Sequence, residues 1–399
     1  MATKAPGRPL SLAAAAACLL VAGCFSFHSE PPRPGRTMAG SSPSVIPAHV
    51  LGNALIVEAK WDSFGPYHFL VDTGSSVALE VSPELARRYP GKGPPPADIP
   101  ELRVKSSTGE SVLLEAASVR RIQLGSVRFE NVPGRIYDCS DLSAQLGVKI
   151  DGILGFPLFR DTVLTLDYPH DRVVLRASGP ELRVPGETVP FNNIDKTPLI
   201  SVRIGERSIG ALIDSGSDAA LSLNPVGMAP KFTATPTDGP IVGTLAGDRQ
   251  LLVSRMAENL HIGGYVVPDP IVDLTDGDSS IGGGILKQFT ITFDQEHDQV
   301  TFYRDSTEPV ATPPLRSTGL SFRKTPLYWK VVGVIPGSPA DGASVVAGDL
   351  VIRINDEPVF QWELRRYEEL IASGDEVKYT FVNGTVATDK VLKIVEVVR

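Results

Sequence analysis

The sequence predicts a mainly β protein: two homologous lobes, then a separate β-rich segment that carries one helix. Three observations lead there. Apolar runs are short and broken by turn residues, with 37 Gly and 34 Pro among 399 residues. Three blocks of residues 67–167 recur in the same order in residues 209–294. Residues 317–399 leave that pattern and show one stretch of helical period, at 362–371.

The chain carries 38 Lys and Arg against 46 Asp and Glu, a net charge of −8, so no basic surface for nucleic acid is expected. A hydrophobic share of 42% suits folded domains rather than disorder. The three cysteines, Cys18, Cys24 and Cys139, cannot build a disulfide scaffold, and no Cys or His cluster has zinc-ligand spacing. No metal and no cofactor are expected. Cys139 has no neighbouring base and reads as a small buried hydrophobe.

Residues 1–24 read as an export signal. Lys4 and Arg8 precede the apolar run 10–22, which is short for a permanent span. The run ends in Val21-Ala22-Gly23-Cys24, which resembles a bacterial lipobox. That resemblance implies lipidation of Cys24 and a membrane-tethered body in the cell envelope. Phe25, rather than Asp, after the cysteine points to the periplasmic face of the outer membrane. The alternative is an ordinary signal peptide cut near Ala22 or Gly23. Residues 25–48, rich in Pro, Gly and Ser, read as a flexible tether.

The repeat then organises the chain into lobe 1 at 49–180 and lobe 2 at 181–305. Residues 67–79 (YHFLVDTGSSVAL) match 209–221 (IGALIDSGSDAAL). Residues 122–133 match 260–268, and 151–167 (DGILGFPLFRDTVLTLD) match 278–294 (DSSIGGGILKQFTITFD). A further β-rich run closes each copy, at 172–176 and 299–303. Alternating runs at 111–115 and 251–254 read as strands, with turns at Thr108-Gly109 and Ala246-Gly247. One short helix is predicted at 83–88, capped by Ser82.

The duplication carries the chemistry. Each copy places an Asp at the tip of an apolar strand, with Gly two residues on for a tight turn. An approximate two-fold axis between the lobes would bring Asp72 and Asp214 together. Two adjacent carboxylates do not both ionise easily; they share a proton and titrate as a pair. The ionised member can activate a water while the protonated member donates to a substrate carbonyl. Thr73 and Ser215 are placed to hydrogen-bond across the seam, and Ser75 and Ser217 to donate to the carboxylates.

At these residues the chain resembles the pepsin–retropepsin family of aspartic peptidases, over both lobes. Asp72-Thr73-Gly74-Ser75 and Asp214-Ser215-Gly216-Ser217 match the family's catalytic loops. Asp151-Gly152-Ile153-Leu154-Gly155 matches the hydrophobic–hydrophobic–glycine element that crosses beneath the first loop. The resemblance implies a bilobal fold with pseudo-two-fold symmetry, an interlobe cleft, and peptide-bond hydrolysis without a cofactor. The chain departs from the pattern at Ser215, where threonine is commoner, and at Ser280-Ile281-Gly282, whose first position is polar. The candidate flap at 106–110, with Ser107, Thr108 and Gly109 at its tip, lacks the pepsin tyrosine.

After a Pro- and Thr-rich linker at 306–316, residues 317–399 resemble a bacterial PDZ domain. The resemblance rests on Gly337-Ser338-Pro339-Ala340 and on the run 347–355 (AGDLVIRIN). Gly319-Leu320-Ser321-Phe322 occupies the place of the family's carboxylate-binding loop, with Ser321 in place of glycine. The implied role is capture of a C-terminal peptide by strand addition.

Gly277-Asp278-Ser279-Ser280 superficially resembles a serine-protease nucleophile loop. No histidine has the matching context, and Ser279 falls inside the repeat opposite Gly152. The expectation is an aspartic endopeptidase acting on peptides or unfolded protein. The rival is an envelope scaffold that binds peptides without cutting them. Both lobes lie in one chain, so a monomer suffices for the site.

Overall fold

A computed structural model describes residues 35–88, 102–105, 111–180, 183–244 and 247–398. Cys24 and the flap candidates Ser107, Thr108 and Gly109 lie outside the described residues, as does the signal segment. The strands on either side of that flap, Leu102–Lys105 and Ser111–Leu114, pair antiparallel.

The architecture is mainly β and its centre is a sheet shared by both halves of the repeat. Its strands run Ser44–Leu51, Arg172–Ala177, Thr162–Asp167, Thr290–Asp294, Gln299–Tyr303 and Glu187–Asn192, all antiparallel. The two middle strands come from matching repeat positions. They meet in register at Thr165 opposite Thr292, whose hydroxyls lie 3.0 Å apart. Along the two middle strands nearly every residue is buried, because both faces are covered. The aromatic rings of Phe156, Phe191 and Phe293 meet edge to face above them, with centroids 5.4–5.7 Å apart. One buried cluster, from Ile46 to Val310, therefore spans both halves.

Each half adds the same local crossing. The strand Gly152–Gly155 runs parallel to Phe64–Asp72, with Gly155 level with Asp72, and antiparallel to Leu79–Val81. In the second half Ser280–Ile281 runs parallel to Arg207–Ile213 and antiparallel to Leu221–Leu223. Ser280 keeps this role despite its polarity: it is buried, pairs with Leu212 and Ser222, and tops a strand of only two residues. The helix Pro83–Arg88 forms as the sequence predicts, with the Ser82 hydroxyl accepting from the Leu85 amide at 3.2 Å.

Two segments are more ordered than their composition implies. The tether expected at 25–48 is a folded edge from Thr37 onward: Thr37–Met38 pairs with Phe129 and Arg128, and Ser44–Leu51 joins the central sheet. Alternate residues Ser44, Ile46 and Ala48 face inward, a strand pattern that the prolines obscure. The linker expected at 306–316 is pinned to the second half. Val310 is buried, the Thr312 hydroxyl accepts from the Ile271 amide at 3.1 Å, and Leu315–Ser317 pairs with Val395–Val398.

Residues from 320 onward form a second sheet, ordered Leu320–Lys324, Trp329–Val334, Leu350–Ile354, Glu376–Asn383 and Val386–Lys393. It has its own core around Trp329, Val331, Val351, Val377 and Tyr379. The helix Leu364–Ser373 packs on it and starts two residues later than its period suggests. Trp362 is spent on packing, its indole N–H donating to the Ile354 carbonyl at 3.2 Å. This module touches both halves. Ser321 Oγ accepts from the Ile241 amide at 2.9 Å, Arg323 reaches Asp141 and Asp248 at 3.2 and 3.1 Å, and Lys324 donates to the Gln145 carbonyl at 2.6 Å. Leu364 joins Leu51, Ala54 and Leu142 against a small cluster around Ile56 and Leu70.

Candidate active site

Asp72 is the last residue of its strand and Asp214 follows directly on Arg207–Ile213, so both carboxyls emerge where a strand stops and a turn begins. The turns orient them alike. Asp72 Oδ1 accepts from the amides of Gly74 and Ser75 at 2.8 and 3.1 Å; Asp214 Oδ1 accepts from those of Gly216 and Ser217 at 3.0 and 3.1 Å. The second oxygen of each carboxyl is left for other partners.

The turns are locked to one another by four reciprocal hydrogen bonds. Thr73 Oγ1 donates to the Ile213 carbonyl at 2.6 Å and accepts from the Ser215 amide at 3.0 Å. Ser215 Oγ donates to the Val71 carbonyl at 2.8 Å and accepts from the Thr73 amide at 2.9 Å. Both side chains are fully buried, so the exchange is shielded from water. Serine serves at 215 because only the hydroxyl takes part.

This clasp brings the acids together. A Cβ on Gly74 would stand 2.5 Å from the Asp214 carboxyl carbon, and one on Gly216 2.5 Å from that of Asp72. Each carboxyl lies over the other turn's glycine, and no side chain fits between. Each carboxyl therefore faces the other across the seam, and two acids so close do not both ionise easily. Burial holds both above the usual carboxylate range; the Glu80 charge adds to this at Asp72, and the Asp72 charge at Asp214. Tyr168 brings a buried hydroxyl, without a partner among the described residues, within electrostatic reach of both.

The serine side chains do not play the part the sequence suggests. The amides of Ser75 and Ser217, not their hydroxyls, hold the carboxylates. Ser75 Oγ turns away to the Val77 carbonyl and to Glu80, at 3.3 and 3.4 Å, and Ser217 Oγ accepts from the Ala219 amide at 3.3 Å. The geometric reason is that a tight turn aims two consecutive amides at the Asp and leaves the serine side chain on its far side.

The halves are bridged again beside the second turn. The Asn53 amide donates to Asp218 Oδ1 at 3.1 Å, and Lys287 Nζ donates to Asn53 Oδ1 at 2.8 Å. The C-terminal module supplies Glu368 and Lys324 to the same corner. Burial and then the Asp218 charge lift Glu368 to about 7, and burial lowers Lys324 to about 8. Of the other residues singled out from the sequence, Ser321 is buried at the module's contact with strand Thr237–Thr244, while Leu320 and Phe322 are buried in the module's own core. Gly319 accepts from the Ile335 amide at 2.8 Å. Cys139 is buried and its thiol is pushed up to about 12, which makes it inert. Among the described residues no group of His, Cys, Asp and Glu is gathered to hold a metal ion.

Residues 57–158 are similar to a protein family described as aspartyl protease. The matched span runs from the strand before Asp72 through the crossing strand Gly152–Gly155; Asp214 lies beyond it. The mainly β fold with its barrel-like strand network is consistent with an aspartyl protease, and the similarity points to a peptidase. No curated protein matches the chain.

Glu80, Tyr168 and Asn53 were not singled out from the sequence. Glu80 did carry a signal: it is the one charged residue in the otherwise apolar run 77–81, at a strand position.

Proposed function

We propose that the chain is an exported, membrane-tethered aspartic endopeptidase whose C-terminal module is a PDZ domain that assists peptide binding. The observation that carries the reading is the pair of carboxyls, one from each half, each lying over the other turn's glycine and held by matching amides. Such a pair works with one shared proton. The ionised carboxyl takes a proton from water as the water oxygen bonds to the scissile carbonyl carbon, and the protonated carboxyl donates to the carbonyl oxygen. The tetrahedral diol then collapses: the C–N bond breaks, the nitrogen leaves with the pair's proton, and a diol hydroxyl gives its proton to the ionised carboxyl as the carboxylic acid product forms, so the shared-proton state returns. Fixed amides do not reorganise during these steps, which favours the charge they face.

The matching crossings in the two halves and the in-register Thr165–Thr292 pair support a pseudo-two-fold, pepsin-like arrangement. The five-strand sheet with its flanking helix supports the PDZ reading, with Gly319-Leu320-Ser321-Phe322 as its carboxylate loop. That strand edge now faces the helix Ser140–Leu146, so a peptide ligand would have to compete with an internal contact. Export and anchoring at the periplasmic face of the outer membrane rest on Val21-Ala22-Gly23-Cys24.

The test is cleavage of an unfolded protein from about pH 3 to 7, with and without a pepsin-type transition-state inhibitor. Inhibitor-sensitive cleavage that disappears in Asp72→Asn and in Asp214→Asn, both still folded, is expected. Undiminished cleavage in either variant refutes the pair. Peptide binding without cleavage at any pH leaves the scaffold reading. Cys24→Ser releasing the protein from membranes tests the anchor.

A further inference from the structure

Behind the first aspartate turn lies a carboxyl that the proposed chemistry does not use. Glu80, in the strand Leu79–Val81, is 2% exposed. Its Oε1 lies 3.4 Å from Ser75 Oγ, and Ser75 is the residue whose amide holds Asp72. Oε2 has no hydrogen-bond partner among the described residues. An acid so buried is costly unless its charge or its proton serves something nearby.

The second half isolates what is special here. Leu221–Leu223 makes the same pairings as Leu79–Val81, antiparallel to the crossing strand and parallel to a further strand. Register places Ser222 where the first half has Glu80. Ser222 Oγ donates to Asp273 at 2.9 Å, and Arg249 pairs with that aspartate at 2.8 Å. The two halves thus repeat the turn, the crossing and the clasp, but at this strand position the first carries a buried acid bonded to the turn's own serine, and the second a serine whose acid partner is paired with Arg249.

The groups facing Glu80 come from several elements. Ser75 and Asp72 face it from the turn. Arg135 stands opposite it in register on Val127–Ile136 and sends Nη1 to the Leu114 carbonyl at 3.2 Å. Tyr137 and Cys139 follow on the same chain segment; burial raises both, and the Glu80 charge adds to it. Burial lifts Glu80 itself to about 7, with the Ser75 hydroxyl pulling back, so its charge forms near neutral pH.

We propose that Glu80 is a positioning residue of the aspartate pair: it fixes the turn through Ser75, and its negative charge, once formed, holds the shared proton on Asp72 and Asp214 as the pH rises. The proposal rests on the reading of those two aspartates as one acid pair. It makes the pair's alkaline limit a property of a residue that never touches substrate. Below neutral pH Glu80 is protonated and acts only as a spacer; as it ionises, loss of the pair's proton is delayed.

The test is a titration of carboxyl 13C resonances in the full chain, read beside the pH–rate profile. The Asp72 and Asp214 signals are assigned from Asp72→Asn and Asp214→Asn difference spectra. Glu80→Gln keeps the side-chain length and an acceptor for Ser75. Its pair is expected to lose the shared proton about one pH unit earlier, with about tenfold less activity on the alkaline side and an unchanged acidic limb. Superimposable titrations of the variant and the parent overturn the proposal. If the variant does not fold, the parent alone decides: beyond the two steps of the pair itself, the Asp72 signal must show a further inflection at the pH where the Glu80 carboxyl signal titrates, and its absence refutes the coupling. Should the parent cleave nothing, the peptidase reading fails while the resonance titration still judges Glu80.

Discussion

Replacing Thr73 by valine tests the seam on which the acid pair depends. Valine matches threonine in shape and swaps the hydroxyl for a methyl, so packing is retained and only hydrogen bonding is lost. Two buried groups are left without partners: the Ile213 carbonyl, now 2.6 Å from Thr73 Oγ1, and the Ser215 amide, now 3.0 Å from it. An unsatisfied buried polar group costs roughly 1–3 kcal/mol, so Thr73→Val is expected to destabilise the protein by about 4 kcal/mol. Thr73→Ser keeps both bonds and removes one methyl, a loss of about 1 kcal/mol. It also makes the first turn a copy of the second, where serine already serves. Thr73→Val combined with Ser215→Ala should cost less than the sum of the two, by about 1 kcal/mol, because the four bonds form one network. Urea unfolding followed by circular dichroism supplies the free energies, and cleavage rates show whether the pair stays aligned. The reasoning fails if the valine and serine variants agree within about 0.5 kcal/mol.

Gly74→Ala sets a Cβ 2.5 Å from the Asp214 carboxyl carbon. It should part the acids and lower peptide cleavage by about a hundredfold or more, and a variant with parental rates argues against the close approach. The pH dependence of stability follows from carboxyls raised above their unfolded values at Asp72, Asp214, Glu80 and Glu368. The native state binds the extra protons, so the contribution is complete below the unfolded carboxylate range near pH 4 and is lost as pH rises through the raised native values. Glu80, moved from 4.5 to about 7, accounts for about 3 kcal/mol of that loss. Denaturation at pH 5 and at pH 8 (about three units apart) should show a weaker fold at pH 8 and a flatter difference in Glu80→Gln; equal slopes contradict the assignment. Gly333→Val places a Cβ 2.3 Å from Ile241 Cδ1 and should loosen the C-terminal module, seen as faster amide exchange over 237–244 and 320–324. Unchanged exchange there argues that the contact is dispensable.

The acid loops could be read from the sequence because duplication writes each feature twice. Asp72 with Asp214, Thr73 with Ser215 and Gly155 with Gly282 all stand at matching places, and matched turns imply matched geometry. The mainly β character was equally visible in short alternating runs. What escaped was whatever depends on a neighbour distant in sequence. Ile46 and Ala48 sit in a proline-bearing stretch, and only pairing, of Ile46 with Val173 and of Ala48 with Val57, makes them a strand. Val310 looks like one apolar residue in a linker until the second half covers it. Ser321 reads as part of a ligand loop, yet its hydroxyl is engaged by Ile241, 80 positions away. The duties of Ser75 could not be divided between amide and hydroxyl without the side of the turn on which Glu80 lies.

The reciprocal clasp sets a condition on timing as well as on shape. Synthesis delivers Thr73 long before Ser215, and until the later residue arrives the amide and hydroxyl of Thr73 have no counterpart to meet. A nascent chain, or a fragment ending short of residue 215, holds one acid on an unbraced turn. On the proposed reading, hydrolysis would be withheld until the second half has emerged and docked, a condition written into the order of the polypeptide itself.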